Sequence, residues 1–160
     1  MKRTRVAGVI EINGGYALMH RLDVKKTENS NKPYGEYYVF AGGGVEETDS
    51  SLEDAVKREI LEEFGIEVEV KEKLYYEKIN EDIDEYLFSC IYKSGEFGTG
   101  KGPEFSGDPN YMDRGKYIPC IVSKEEIKNI RLIPEKFKEQ LMKDFWIKNK
   151  KNSVKKIFLW

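Results

Sequence analysis

Three features of the sequence predict a single α/β (α+β) domain. Runs rich in β-branched and aromatic residues recur along the chain, as in VAGVIEI and EYLFSCIY, and are typical of strands. Val56, Ile60 and Phe64 recur at every fourth position, which is the spacing of a helix with one buried face. A second helical pattern, PEKFKEQLMKDFWIKN, begins at Pro134. The length of 160 residues fits one domain over residues 1–160.

The first third of the chain reads as three strands and one loop. Asn13-Gly14 lies between two apolar runs and predicts a β-hairpin, because this dipeptide favours the tight turns that join antiparallel strands. Residues 23–36 are polar and without a period, so we expect a mobile surface loop there. EYYVF predicts a short strand that breaks at Gly42-Gly43-Gly44.

A helix follows the glycines. It starts at Ser50 or Ser51, where Ser50 with Glu53 three positions later forms a capping-box pattern, and Gly65 is suited to end it in the left-handed conformation. Two further strands, IEVEVKEKLYYEKI and EYLFSCIYKSG, come next, and KYIPCIVS is a later one. Between them, residues 95–114 contain five glycines and two prolines, and we expect a long functional loop. The basic and then apolar residues 150–160 are interpreted as a loose tail, with an added strand or a partner contact as the alternatives.

Composition excludes some classes of partner. A net charge of −2 indicates no binding of a nucleic acid polymer, and the apolar runs are too short to cross a membrane. Cys90 and Cys120 lack the spacing of a metal site, so we interpret them as free thiols in a reducing cytoplasm. A homodimer remains open at this stage.

Three glutamates crowd one side of the predicted helix. At roughly 100° per residue, Glu59, Glu62 and Glu63 fan over roughly 100° of the helix surface. Like charges at this spacing repel, and a hard divalent cation such as Mg²⁺, Mn²⁺ or Ca²⁺ would neutralise them. The alternative is a solvated acidic face. Ala55, one turn earlier, leaves room for a close approach to the helix, and Arg58 is placed to orient a carboxylate through two hydrogen bonds.

The spacing of the acidic helix resembles a known motif. Residues 43–66 resemble the Nudix box, and its second half is complete as Arg58-Glu59-Ile60-Leu61-Glu62-Glu63-Phe64-Gly65-Ile66. The first half departs from the pattern, because counting back eight positions from Arg58 reaches Ser50 where the family has glutamate. Counting forward from the glycine turn reaches Asp49 instead, with one extra residue, and this alignment keeps an acid at the expected place. Gly43, Asp49 and Gly65 are then supporting positions of the motif.

The resemblance implies a fold, an activity and a set of site residues. The fold is an α/β/α sandwich with a mixed β-sheet. The activity is hydrolysis of a pyrophosphate bond in a nucleoside diphosphate derivative, such as a nucleoside triphosphate, ADP-ribose or a sugar nucleotide. Mg²⁺, or Mn²⁺ in its place, is the implied cofactor. The resemblance implies metal ligands at the Gly42 carbonyl, Glu59, Glu62 and Glu63, with Arg58 positioning the glutamates.

Two questions stay open from the sequence. The general base is one: Glu96 and Glu104 both lie on the glycine-rich loop, and we favour Glu104 of the two, since Gly-Pro-Glu at 102–104 resembles a segment of one branch of the family. The alternatives are a base within the box, as in some relatives, and a role for Glu104 as a solvated loop acid only. The second is the substrate, for which aromatic side chains and the lysines of the polar loop are candidate contacts: Tyr37, Tyr38, Phe40, Phe88, Tyr111, Lys25, Lys26 and Lys32.

Other function classes are weighed beside hydrolysis. One is a nucleotide-binding module with the Nudix fold and no catalysis, which loss of the acidic residues would favour, and all three are present. Another is isomerisation of an isoprenoid diphosphate, which would need a nucleophilic cysteine near the site.

Overall fold

A curled mixed β-sheet organises the computed structural model, which describes residues 1–28, 30–112 and 114–145. The first half of the described chain contains β1 (Arg3–Ile12), β2 (Gly15–Val24), β3 (Gly35–Val39), β4 (Ala41–Gly44), α1 (Leu52–Phe64) and β5 (Ile66–Asn80). The second half contains β6 (Ile83–Gly95), a 3-10 helix (Pro103–Phe105), α2 (Pro109–Met112), β7 (Lys116–Ser123), a second 3-10 helix (Glu126–Asn129), β8 (Leu132–Ile133) and α3 (135–145).

Strand β1 is the hub of this sheet. It pairs in parallel with β6 from Arg3 to Ile10 and antiparallel with β4, while its last two residues form the hairpin with β2. The hairpin turns at Asn13 and Gly14, which both have positive φ angles (52° and 78°), as the sequence predicted. Beyond the turn, β2 pairs with β7 and β3, and β3 pairs in parallel with β8. Parallel and antiparallel pairs therefore coexist, which confirms the mixed sheet.

Two apolar layers cover the two faces of the sheet. Because side chains alternate along a strand, Val6 and Ile10 of β1 pack with α1, whereas Ala7 and Val9 pack on the opposite face. The α1 layer takes Ala55, Val56, Ile60 and Phe64 from the helix, and the opposite layer takes Phe137 and Leu141 from α3. This arrangement confirms the α/β/α sandwich and the predicted buried stripe of α1. Gly8 is a close-approach point, since a Cβ there would lie 2.6 Å from Ile60 Cδ1.

Two local predictions need correction. The run Gly42-Gly43-Gly44 was expected to end a strand, but it forms most of β4, and the strand interruption falls at Phe40 instead. Position 42 requires glycine, because a Cβ there would overlap the Val6 carbonyl oxygen. The capping box predicted at Ser50 is the second correction, and the helix uses the other predicted start. Ser51, and not Ser50, is the N-cap, and its hydroxyl accepts a hydrogen bond from the Asp54 backbone N–H at 3.1 Å.

The loops are partly as expected. Residues 25–28 and 30–34 have no helix or strand, but both ends of the predicted 23–36 loop belong to β2 and β3. The predicted 95–114 loop contains a 3-10 helix and α2, so it is more structured than its glycine content indicated. The predicted tail, residues 150–160, and the end of the final helix lie outside the described residues. No helix within the described ranges is long and apolar enough to cross a membrane.

The cap of α1 provides a direct test of these boundaries. Ser51→Ala removes the acceptor for the Asp54 N–H and should lower the free energy of unfolding by about 1 kcal/mol. Ser50→Ala, the matched control one residue earlier, should change it by less than about half of that. Urea denaturation followed by circular dichroism measures both, and equal losses would contradict the assignment of the cap.

Candidate active site

Strand β4 and helix α1 meet at the acidic face of the helix. The Gly42 backbone N–H donates a hydrogen bond to Glu63 Oε2 at 3.2 Å. A Cβ at Gly43 would lie 2.5 Å from Glu59 Oε1, so the glycine allows the carboxylate to rest directly on the strand. In a strand, the N–H and C=O of one residue point to the same side, and the Gly42 carbonyl therefore also faces the Glu63 side of β4.

Arg58 joins the carboxylates of this region through its guanidinium group. Its Nε and Nη2 each donate to one oxygen of Asp49 at 2.9 Å, which is a two-pronged hydrogen bond. Its Nη1 donates to Glu59 Oε1 at 2.9 Å and lies 3.5 Å from Glu62 Oε2. Nη2 also donates to the Gly44 carbonyl at 3.1 Å. Arg58 thus ties α1 to the end of β4 and to the turn that precedes the helix.

Asp49 is built into the turn. Its side chain is only 5% exposed, and its Oδ2 also accepts a hydrogen bond from the Glu46 N–H at 2.8 Å. Hydrogen bonds from Arg58 hold the pKa of Asp49 below its usual value. Asp49, rather than Ser50, therefore lies where an acid meets the arginine of the motif, as the forward alignment predicted.

Two acidic side chains of α1, Glu59 and Glu63, lie in an environment that disfavours their charge. The side chain of Glu59 is 13% exposed and that of Glu62 is 38% exposed. Burial raises the pKa of Glu59, although Arg58 partly opposes this. Burial, with the charges of Glu59 and Glu104, raises the pKa of Glu63 well above its usual value. The protein thus brings carboxylates together without enough cationic side chains to balance them.

The glycine-rich loop closes over the carboxyl end of α1. The N–H groups of Gly98 and Gly102 donate to the carbonyls of Phe64 and Glu62 at 2.9 and 2.8 Å. These bonds satisfy helix carbonyls that would otherwise lack partners. Gly100 passes so close that a Cβ there would overlap the carbonyls of Glu62 and Glu63. Gly65, with φ of 74°, ends the helix in the left-handed conformation as predicted. The loop is glycine-rich because it lies against helix backbone.

This closure brings Glu104 to the acidic group. Its Oε1 is buried and has no hydrogen-bond partner among the described residues. Burial raises the pKa of Glu104, and the charge of Glu62 raises it further, whereas Arg21 acts in the opposite direction. Glu96, the other acid considered for the base, is exposed on the same loop. Glu104, which the sequence analysis favoured, therefore differs from Glu96 in its burial.

The chemistry of these side chains fits a divalent cation, although they do not enclose one. Within the described ranges, no three Asp, Glu, His or Cys side chains converge as a ready-made metal cluster. Glu59 is held by Arg58, and Glu63 is held by Gly42. Even so, the donors are all oxygens, their charges repel, and one buried oxygen of Glu104 is unpaired. These are the properties of a site for a hard cation such as Mg²⁺.

Other residues singled out from the sequence fall in several places. Ala55 is fully buried in the core, so the room beside it is filled by protein. Phe40 and Phe88 are also buried. Tyr38 stacks on His20, with ring centroids 4.2 Å apart.

Tyr37 has a different setting. It lies beside Arg21, whose guanidinium carbon is 5.7 Å from the ring centroid. Sequence reasoning missed Arg21. Its position two residues after Met19 predicts which face of β2 it occupies, but its neighbours depend on strand register.

The cysteines contribute no nucleophile to this region. Cys90 and Cys120 are free, with Cys90 buried and Cys120 partly buried. Burial raises the pKa of Cys90 to about 12, so its thiol is protonated near neutral pH. The described residues therefore do not provide the nucleophilic cysteine that isomerisation of an isoprenoid diphosphate would need.

Comparison with known proteins gives the class of the protein. The model of the NUDIX domain family matches residues 2–137, which is most of the chain. The chain therefore belongs to the Nudix family, as its box resemblance implied. It is an enzyme of the Nudix pyrophosphohydrolase type, a hydrolase acting on acid anhydrides, and enzymes of this family generally use divalent metal ions. No curated protein sequence matches it.

Solved structures share its fold. The MutT protein from Methanosarcina mazei is 22% identical, with a TM-score of 0.60 over 93% of this chain and 96% of that one. An ADP-ribose pyrophosphatase from Streptococcus suis is 18% identical, with a TM-score of 0.58 over 88% and 87% of the two chains. The E. coli ORF135 protein is 24% identical, with a TM-score of 0.55 over 92% and 91%. At such identities the likeness shows the fold and does not select a substrate.

The contact between Arg58 and Asp49 has a measurable pH dependence. Because the pKa of Asp49 is lowered in the folded state, its stabilising effect is present above the unfolded pKa of about 3.9 and is lost as the pH falls through the folded value. Asp49→Asn should therefore cost about 1–2 kcal/mol of unfolding free energy at pH 7.

Below the folded pKa of Asp49 the difference between wild type and Asp49→Asn should shrink toward zero. Urea denaturation at a series of pH values measures it. Asp54→Asn, an exposed carboxylate in the first turn of the same helix, is the control and should show no comparable acid-dependent difference. A cost for Asp49→Asn that stays constant down to low pH would show that the ion pair is not its origin.

Proposed function

We propose that the chain is a metal-dependent hydrolase that cleaves the pyrophosphate bond of a nucleoside diphosphate derivative. The observation that carries this proposal is the assembly of acids around the carboxyl end of α1. Glu59, Glu62 and Glu63 come from the helix, and the glycine-rich loop adds Glu104. A folded protein gains no stability from such repulsion, so a function that requires a cation is the physical reason to maintain it.

Glu59, Glu62, Glu63 and the Gly42 carbonyl are the proposed metal ligands. Mg²⁺ is the proposed ion, with Mn²⁺ as a substitute, because both accept carboxylate and carbonyl oxygens. Bound there, the ion neutralises the phosphate oxygens of the substrate and makes the adjacent phosphorus easier to attack.

Arg58 and Gly42 are proposed as positioning groups. The guanidinium of Arg58 fixes the orientation of Glu59 through a hydrogen bond from Nη1. Its hydrogen bond to Asp49 restrains the arginine side chain in the same conformation. The Gly42 N–H holds one oxygen of Glu63 and leaves the other free. Each held carboxylate keeps one rotamer, so less conformational entropy is lost when substrate and ion arrive.

Glu104 is the proposed general base. Water attacks phosphorus in line, a phosphorus–oxygen bond forms, and the bond to the bridging anhydride oxygen breaks. The water proton passes to the carboxylate of Glu104, and the leaving phosphate carries the electron pair of the broken bond. The buried, unpartnered Oε1 supports this role, because burial raises the pKa of Glu104 and no protein donor among the described residues occupies this oxygen, so the carboxylate is a stronger proton acceptor.

The two free cysteines support a reducing compartment such as the cytoplasm for this enzyme. A nucleotide-type small molecule is the proposed partner in that compartment.

A substrate panel tests the proposal. The purified chain should release phosphate or a nucleoside monophosphate from at least one member of a set containing nucleoside triphosphates, ADP-ribose and sugar nucleotides. ADP-ribose belongs in the set because the similar Streptococcus suis protein is an ADP-ribose pyrophosphatase. EDTA should abolish turnover, and excess Mg²⁺ should restore it.

Variants of the acidic helix complete that test. Glu62→Gln and Glu63→Gln should each lower kcat by about a hundredfold or more, while the unfolding free energy stays equal or rises because a repulsive charge is lost. Glu53→Gln, in the first turn of the same helix, is the matched control and should retain activity. Tight nucleotide binding without turnover across the whole panel would favour the non-catalytic binding module instead.

Two glutamates of the glycine-rich loop provide a matched test of the proposed general base. Glu104→Gln should lower kcat by about a hundredfold with little change in KM, because the amide retains the shape but does not accept the proton. Glu96→Gln removes an exposed carboxylate of the same loop and should leave kcat unchanged. Equal activity of Glu104→Gln and wild type would exclude Glu104 as the base.

A further inference from the structure

A row of alternating tyrosines and arginines crosses the sheet beside the proposed active site. Arg21 of β2 is paired in register with Tyr117 of β7 on one side and with Tyr37 of β3 on the other. Arg131 continues the row at the start of β8, since β8 runs parallel to β3 with Leu132 opposite Tyr38. The order is therefore Tyr117, Arg21, Tyr37, Arg131. Four neighbouring strands span about 14 Å from first to last.

The row lies on the same face of the sheet as α1. Met19 and Val39, which are paired in register, pack in the apolar layer of α1. Arg21 and Tyr37 are two residues from them on their strands and so share that face. At the Tyr117 end, Phe105 packs edge-on against the Tyr117 ring with centroids 6.4 Å apart, one residue after Glu104. The row thus begins at the loop that carries the proposed base.

The two guanidinium groups are held by aromatic faces and backbone carbonyls. The guanidinium carbon of Arg21 is 3.6 Å from the Tyr117 ring centroid, and its Nε donates to the Lys116 carbonyl at 3.1 Å. The guanidinium carbon of Arg131 is 5.9 Å from the Tyr37 ring, and its Nη1 donates to the Tyr34 carbonyl at 2.9 Å. Groups held in this way are preorganised for an anion or a planar ring.

Beyond Arg131 the row opens into a basic groove of about 460 Å³. Lys26, Lys32 and Arg131 line it together with Tyr34, Asn31 and Ile133. No aspartate or glutamate is among the described residues that line this groove. Lys26 lies over the Tyr34 ring, with its Nζ 5.4 Å from the centroid. Three cations in one concave surface create a positive potential that attracts anionic groups.

We infer that this row and groove bind a phosphate that the substrate carries in addition to the diphosphate that is cleaved. The inference rests on the proposed function and narrows its substrate class. Acidic side chains surround the site of cleavage, whereas guanidinium and ammonium groups follow one another away from it as far as the groove. A substrate laid along the row therefore meets positive charge at its distant end. A neutral sugar at that end would leave these cations without a partner.

Two chemical sources supply such a phosphate. One is a phosphate monoester on a ribose, and the other is a longer chain of phosphates between two nucleosides. Both sources add an anionic group that ammonium and guanidinium groups bind through charge-assisted hydrogen bonds. The shared feature is the additional phosphate, and matched ligands distinguish its position.

Binding without turnover tests this inference separately from catalysis. Calorimetric titrations of the full chain in EDTA use two matched pairs: ADP-ribose against its 2′-phosphate, and a dinucleoside diphosphate against the corresponding tetraphosphate. The additional phosphate should strengthen binding about tenfold in at least one pair, and the pair that responds identifies the source. The preference should weaken as salt is raised.

The variant Lys26→Gln with Lys32→Gln should remove most of that preference and leave binding of the ligand without the extra phosphate nearly unchanged. Lys71→Gln with Lys93→Gln removes the same charge from β5 and β6, outside the groove lining, and should preserve the preference. Arg131→Gln should act in the same direction as the groove pair. Equal affinities within both ligand pairs, no binding of any ligand, or a preference that survives in the groove variant would overturn the inference. Because no hydrolysis is measured, an inactive protein that keeps the preference would refute only the proposed function.

Discussion

The contacts of Arg58 are the constraint on which the candidate site depends. One guanidinium group donates hydrogen bonds to the carboxylates of Asp49 and Glu59 and to the carbonyl of Gly44. The turn before α1, the end of β4 and the acidic face of the helix are therefore held in one arrangement. A lysine would supply a single charged centre in place of this planar fork, so it could not hold the same three partners at once. Asp49 reaches the fork although the first half of the box is irregular.

Glycine serves the site at two contacts between backbone segments. In β4, Gly43 allows the Glu59 carboxylate of the acidic helix to rest on the strand, whereas Gly42 allows β4 to lie close to the backbone of β1. In the long loop, Gly100 lies against the last carbonyls of α1, and its neighbours donate hydrogen bonds to that helix end. The second contact places Glu104 among the acids of the box. Larger residues in this loop would increase its distance from the helix and so move Glu104 away from the acids of α1.

The charges of the molecule are segregated along one face of the sheet. Acids gather at the carboxyl end of α1, and arginines held over tyrosines begin at the adjacent loop. Charged side chains at an enzyme surface are usually mixed in sign, which limits the local potential. Here the acids lie at one end of the row of arginines and tyrosines, and the basic groove lies at the other end. The same arrangement favours a cation at one end and additional anionic groups at the other.

Local sequence was sufficient for the first hairpin and for the acidic helix. The four-residue period determined the buried face of α1, Asn13-Gly14 determined the first hairpin, and Gly65 determined the end of the helix. Each of these signals acts between residues near one another in the chain. Spacing along a single helix also placed Glu59, Glu62 and Glu63 together, and the family match agrees with the box to which they belong.

Tertiary structure decided what depends on contacts between distant segments. The glycine run forms a strand because β1 pairs with it. The N-cap of α1 is Ser51, one residue after the predicted capping box at Ser50. Glu104 differs from Glu96 in its burial because the loop folds against α1. Arg21 and Arg131 met the tyrosines only through the register of four strands, since a shift of one residue would turn them to the other face.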